Sequence, residues 1–130
     1  MRIVAIRALP RLGLLGVLLA PLPGCSGAMA GSQAPPATIA FVNQSTEQAN
    51  VYAFGMNGDP RRIGTVAPGQ TQQLRLPSGL IASGSVHIVA RPLATRRLAV
   101  SGPITIGPGD TFTVTMPPGQ NTLNVLPGLP

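Results

Sequence analysis

The sequence predicts an all-β domain, a small antiparallel β-sandwich, and three features carry that expectation. Short runs alternate apolar with polar side chains, most clearly Ser85–Arg91 (SVHIVAR) and Thr111–Met116 (TFTVTM). Turn signals separate the runs, at Asn57-Gly58, Pro68-Gly69, Pro108-Gly109 and Pro118-Gly119. Beyond the N-terminal segment, no long run keeps helical spacing free of Gly and Pro. Strands with one apolar face each bury that face when two sheets close on a common core. A small closed β-barrel satisfies the same pattern and stands as the alternative.

Taken in order, the chain opens with Arg2, Arg7 and Arg11 and no acid, followed by the nine-residue apolar run Leu12–Ala20. A run of that length fits the roughly 7–15 residues of a secretory core and falls short of the roughly 20 that cross a bilayer as a helix. Residues 1–24 therefore read as a signal segment, outside the fold. Just beyond the run and Pro21, Leu22-Pro23-Gly24-Cys25 resemble the lipobox of bacterial lipoprotein precursors. The resemblance implies that the Cys25 thiol is acylated, that cleavage leaves Cys25 as the first mature residue, and that membrane lipid is a partner. Ser26, directly after it, is similar to the arrangement that diderm bacteria sort to the outer membrane, facing the periplasm. A second cleavage signal, Ala28-Met29-Ala30, is of the ordinary signal-peptidase type and would release a periplasmic or secreted protein with no anchor.

Residues 25–36 (CSGAMAGSQAPP) hold no charge, no aromatic and no β-branched side chain, so they form a flexible tether behind the modified cysteine. The β domain is expected over residues 37–127, with 128–130 a frayed end. Thr38–Asn43 turns Ile39 and Phe41 to one face. Asn50–Phe54 sets Val51 and Ala53 opposite Tyr52 and Phe54, and Asn57-Gly58 suits a tight hairpin with positive φ leading into Arg61–Val66. After Pro68-Gly69, Thr71–Leu76 points Leu74 and Leu76 inward, and Pro77–Gly84 is a loop whose Leu80-Ile81 covers an end of the core. On Ser85–Arg91, Val86, Ile88 and Ala90 share one face while His87, Val89 and Arg91 share the other; Pro92 is expected to interrupt the strand or to confine the following pairing to an edge. Thr95–Val100 is expected to continue with Leu98 and Val100 inward, followed by Ile104–Ile106. Thr111–Met116 offers Phe112, Val114 and Met116 to the core, and Thr122–Leu126 closes the domain with Leu123 and Val125 on one face. This layout resembles small immunoglobulin-like or transthyretin-like domains in pattern, which implies the sandwich and no residue-level role.

Composition narrows function chiefly by exclusion. A single cysteine allows no intramolecular disulfide, so the domain is held by packing alone. Of nine arginines three belong to the signal segment, leaving six against Glu47, Asp59 and Asp110, and there is no lysine. That balance lacks the dense cationic stripe of a nucleic-acid binder, so no nucleic acid is expected as partner. Three separated acids and one histidine offer no metal-ligand spacing, no carboxylate pair and no phosphate-cradling glycine motif; no cofactor, metal or catalytic set is expected. The competing enzyme reading is a minimal hydrolase that uses His87 with Asp110 or Asp59. The remaining candidates are Arg62, Arg75, Arg91 and Arg97, which would form an anion or acidic-partner patch if the fold gathers them. Polar faces rich in Gln70, Thr71, Gln73, Thr111, Thr113, Thr115, Asn121 and Asn124 suit hydrogen bonding to a glycan or peptide. The sequence thus predicts a noncatalytic envelope lipoprotein that binds an envelope protein or glycan or serves a structural role, its oligomeric state open.

Overall fold

Alternation produces the strands and their pairing produces two sheets. The computed structural model describes residues 34–128. The signal segment, Cys25, most of the tether, the Ala28-Met29-Ala30 site and the last two residues lie outside the described residues. Nine strands and one helical turn follow in order: β1 Thr38–Asn43, β2 Ala49–Gly55, β3 Arg61–Val66, β4 Thr71–Arg75, α1 Ser78–Ile81, β5 Ser85–Pro92, β6 Ala99–Val100, β7 Ile104–Thr105, β8 Thr111–Met116 and β9 Asn124–Pro127.

Sheet A has the order β4-β1-β8-β9, and sheet B the order β3-β2-β5-β6 with β7 also paired to β5. The two sheets pack face to face as a sandwich, and the barrel alternative is not what forms. Between the named strands the pairing is antiparallel except where β1 runs parallel to β8, with Phe41 opposite Val114; one isolated parallel bridge joins Val100 to Thr122. A parallel pair needs a long crossover, and here the whole of sheet B supplies it between β1 and β8.

The inward positions fall on the predicted period of two. Ile39, Phe41, Leu74, Val114 and Met116 from sheet A meet Val51, Ala53, Val66, Val86, Ile88 and Ala90 from sheet B, all in one buried cluster. That cluster lies wholly within the compact unit Ser32–Pro130, which therefore carries its own core. The three Pro-Gly turns form as their chemistry requires: Gly69, Gly109 and Gly119 have φ of 68°, 79° and 71°. Gln70 N–H donates to Ala67 C=O at 3.2 Å and Asp110 N–H to Gly107 C=O at 3.3 Å, closing two of these turns.

Four sequence-based expectations change. Pro77–Gly84 is not all loop, because Ser78–Ile81 winds into a single helical turn that drops Leu80 into the core, with Ile81 packed beside it. Asn57-Gly58 makes no positive-φ glycine turn. Gly58 N–H instead donates to Gly55 C=O, and the hairpin is lengthened through Asp59 and Pro60. The strand expected over Thr95–Val100 shrinks to Ala99–Val100, and its parity is reversed: Ala99 is buried while Leu98 and Val100 are 48% and 39% exposed. The reason is register. Ala99 pairs with inward Ala90 and Val100 with outward Val89, so the ladder overrides the preference of the larger side chains for the core. The last strand begins two residues later than expected, at Asn124, although Leu123 is buried and Val125 half-buried as read.

Two buried polar side chains complete the frame. Asn43, at the end of β1, is fully buried. Its Nδ2 donates to Glu47 C=O at 2.7 Å and to Val66 C=O at 3.0 Å, and its Oδ1 accepts Ser45 N–H and Oγ–H. Ser101 sits between β6 and β7, where its Oγ accepts Ile88 N–H at 2.8 Å in place of a backbone carbonyl. With Ser101 N–H donating to Ile88 C=O at 2.9 Å, the interrupted edge of sheet B is held as one ladder.

Candidate functional site

The outer face of sheet B collects the chain's unusual side chains. Period two turns Asn50, Tyr52 and Phe54 of β2 away from the core, along with Ser85, His87, Val89 and Arg91 of β5. Register then sets them in rows. Tyr52 lies between Arg62 on β3 and Val89 on β5, with Val100 of β6 completing the row. Asn50 lies between Thr65 and Arg91, and Phe54 lies opposite His87.

Local contacts order this face. The Phe54 and His87 rings stack with centroids 5.2 Å apart and planes 15° from parallel. Arg62 Nη2 donates to Thr65 Oγ1, and Thr65 Oγ1 donates in turn to Asn50 Oδ1 at 2.8 Å. A bulge between Val51 and Tyr52 makes the first contact possible: Gly64 pairs with Val51 but Arg62 with Tyr52, so Ile63 is the extra residue. Arg62 and Thr65, three residues apart, then share the outer side. None of the three acids of the described chain occupies these rows.

The arginines singled out in the sequence are divided between the two sheets and a loop. Arg62 and Arg91 share the outer face of sheet B, two strands apart. Arg75 ends β4 in sheet A, at the rim of a groove of about 620 Å³ lined by Pro35, Pro36, Leu76, Ile81 and Pro108. Arg97 lies in the β5–β6 loop beside a recess of about 120 Å³ that Glu47 and Pro117 also line. Glu47 holds the base of that loop, its Oε2 accepting Ala94 N–H at 3.3 Å.

Asp110 and His87 make contacts with neighbours, and Asp59 stands apart from both in sequence. Asp110 Oδ2 accepts Gly107 N–H at 2.6 Å inside its own turn, Asp59 sits in the β2–β3 loop, and His87 is stacked in mid-sheet. Among the described residues no three of His, Cys, Asp and Glu cluster as a metal site would require. Most of the polar residues noted in the sequence lie on the outer face of sheet A, where Gln73, Ala40, Thr113 and Leu126 form one row and Thr71, Val42, Thr115 and Asn124 the next, while Gln70 and Asn121 lie in the turns between strands.

What sequence reasoning missed is the joining of Tyr52 and Phe54 to Arg62, His87 and Arg91. Alternation puts Tyr52 with Phe54 and His87 with Arg91, and the sidedness of each strand is legible. The missing information is which strands are neighbours and at what offset, and the bulge at Ile63 shifts even the hairpin register. The chain matches no protein-family model and no curated protein, so the reading of this face rests on its own geometry.

Proposed function

We propose that this chain is a noncatalytic lipoprotein of the cell envelope, in which acylated Cys25 anchors a small β-sandwich that acts as a binding module. The observation that carries the anchor is the sequence Leu22-Pro23-Gly24-Cys25, one residue beyond an apolar run of secretory length. Its distance from the fold supports the same reading: the first strand begins at Thr38, and residues 26–37 between it and Cys25 carry no charge. Ser26 points to the outer membrane, with the domain on the periplasmic side.

Binding is favoured over hydrolysis because His87 and Asp110, two of the residues a minimal hydrolase would use, make contacts of their own. His87 stacks on Phe54 and Asp110 closes its own turn, whereas general acid–base work needs a group within hydrogen-bond reach of a substrate proton. The sheet B face instead offers rings, amides and two guanidinium groups on one surface. Metabolic labelling with a fatty-acid analogue, in the wild type and in Cys25→Ser, tests the anchor together with the mass of the mature N-terminus. Label that disappears in Cys25→Ser is the expected result. An unacylated chain beginning at Gly31 would remove the anchor and favour the released periplasmic form.

A further inference from the structure

We infer that the outer face of sheet B binds an anionic polysaccharide, a saccharide chain bearing carboxylate or phosphate groups. The inference deepens the binding-module reading and rests on it. Three observations converge on this ligand.

The first is charge. Arg62 and Arg91 stand on the face with no acid in their rows, and a guanidinium recognises carboxylate and phosphate oxygens through paired N–H donors. A second copy of this chain is disfavoured as occupant, because it would bring the same two cations against themselves. The second is the rings. Half of the chain's four Phe and Tyr side chains, Tyr52 and Phe54, lie half-exposed on this one face. Flat exposed rings pack against the C–H faces of sugars while their rims stay wet. The outer face of sheet A, rich in Thr and Gln, has no aromatic in its rows.

The third is spacing. Arg62 and Arg91 are two strands apart and offset by two residues along them. Strand spacing and rise place their Cα atoms roughly 12 Å apart. Tyr52 and Asn50 lie between them. One small anion does not bridge that distance, but charged groups on successive units of a polymer do, with a sugar ring seated over Tyr52. The network from Arg62 through Thr65 to Asn50 holds one guanidinium in place before the ligand arrives, which lowers the ordering cost of binding.

The test uses residues 32–130, the unit that contains the whole core. Polygalacturonate is titrated in, with neutral dextran, polyglutamate and phosphatidylglycerol vesicles as comparison probes. Tyr52 is the only tyrosine and the chain has no tryptophan, so its fluorescence reports directly from the face. Polygalacturonate is expected to change that fluorescence and to bind more tightly than the other three probes. Binding is expected to weaken by about tenfold or more in Arg62→Gln/Arg91→Gln, whose side chains are exposed, and to change by less than about twofold in Arg75→Gln. Tyr52→Ala, which removes the fluorophore and is therefore followed by isothermal titration calorimetry beside the wild type, is expected to weaken it as well. No binding of polygalacturonate overturns the inference, as does equal loss in Arg75→Gln. Equal or tighter binding of polyglutamate or of the vesicles overturns it too, in favour of an acidic protein or a membrane surface. Because this domain lacks Cys25, its result is independent of the acylation test, and either can fail while the other holds.

Discussion

The side-chain amide of Asn43 crosses from sheet A to sheet B, donating a 3.0 Å hydrogen bond to the backbone carbonyl of Val66. Both residues are fully buried. The same amide holds Glu47 C=O, while its carbonyl oxygen takes two bonds from Ser45, so every polar atom of the side chain is matched. Asn43→Leu would leave the buried Val66 carbonyl without this donor and Ser45 without its acceptor, while Glu47 C=O keeps the bond from Ser45 Oγ–H. Each such group costs about 1–3 kcal/mol. The variant is expected to lose at least about 2 kcal/mol in urea unfolding, and a loss below about 0.5 kcal/mol would show that water replaces the amide.

Gly64 owes its identity to Leu74 on the facing sheet. A Cβ at position 64 would overlap Leu74 Cδ2 and sit 3.4 Å from Cδ1, and Leu74 is itself buried. Gly64→Ala is therefore expected to destabilise by about 1–3 kcal/mol through overpacking. Leu74→Ala alone is expected to cost about 2–5 kcal/mol, and the double variant less than the sum of the two. Additive losses would mean that the two residues do not compete for the same space.

Ser101→Ala tests the side chain that stands in for a backbone carbonyl. It removes the acceptor for Ile88 N–H in a buried setting, at an expected cost of about 1–3 kcal/mol. Amide hydrogen exchange is the more specific measurement. Protection at Ile88 should fall further than protection at Ala53, on neighbouring β2, and equal loss at both sites would point to a general weakening of the fold instead.

The reversed parity of β6 separates its two neighbouring side chains by experiment. Leu98→Gln is expected to change stability by less than about 0.5 kcal/mol, as exposed positions do. Ala99→Leu forces a larger side chain into the packed core opposite Ala90 and is expected to cost about 1–3 kcal/mol. The opposite ranking would restore the inward orientation of Leu98 that hydropathy suggests.

Acylation at Cys25 predicts a partition as well as a label. Wild-type protein is expected in the detergent phase of a Triton X-114 separation, and Cys25→Ser in the aqueous phase. If both partition into water, the thiol carries no lipid.

Much of the sandwich was legible because a strand writes its burial into the sequence at a period of two. Alternation alone points Ile39, Phe41, Val86, Ile88, Ala90, Val114 and Met116 inward, and each is buried, while Phe112 of the same pattern is half-buried against the core. The Pro-Gly turns were legible for a similarly local reason, since proline fixes one φ and glycine accepts the next. The candidate face was legible only in halves. Tyr52 with Phe54 and His87 with Arg91 could be read strand by strand, while Arg62 and its link to Thr65 and Asn50 could not.

By itself, then, the sequence determined the fold class, the inward residues of the regular strands and three of the turns, because these depend on residues near one another in the chain. Only the tertiary structure decided that β1 lies parallel to β8, that Ala99 rather than Leu98 faces the core, and that Arg62 joins Arg91, Tyr52 and His87 on one surface. Those outcomes depend on which strands become neighbours and at what register. Register is set by pairing between distant segments and by the single extra residue at Ile63, and a local pattern does not encode that pairing.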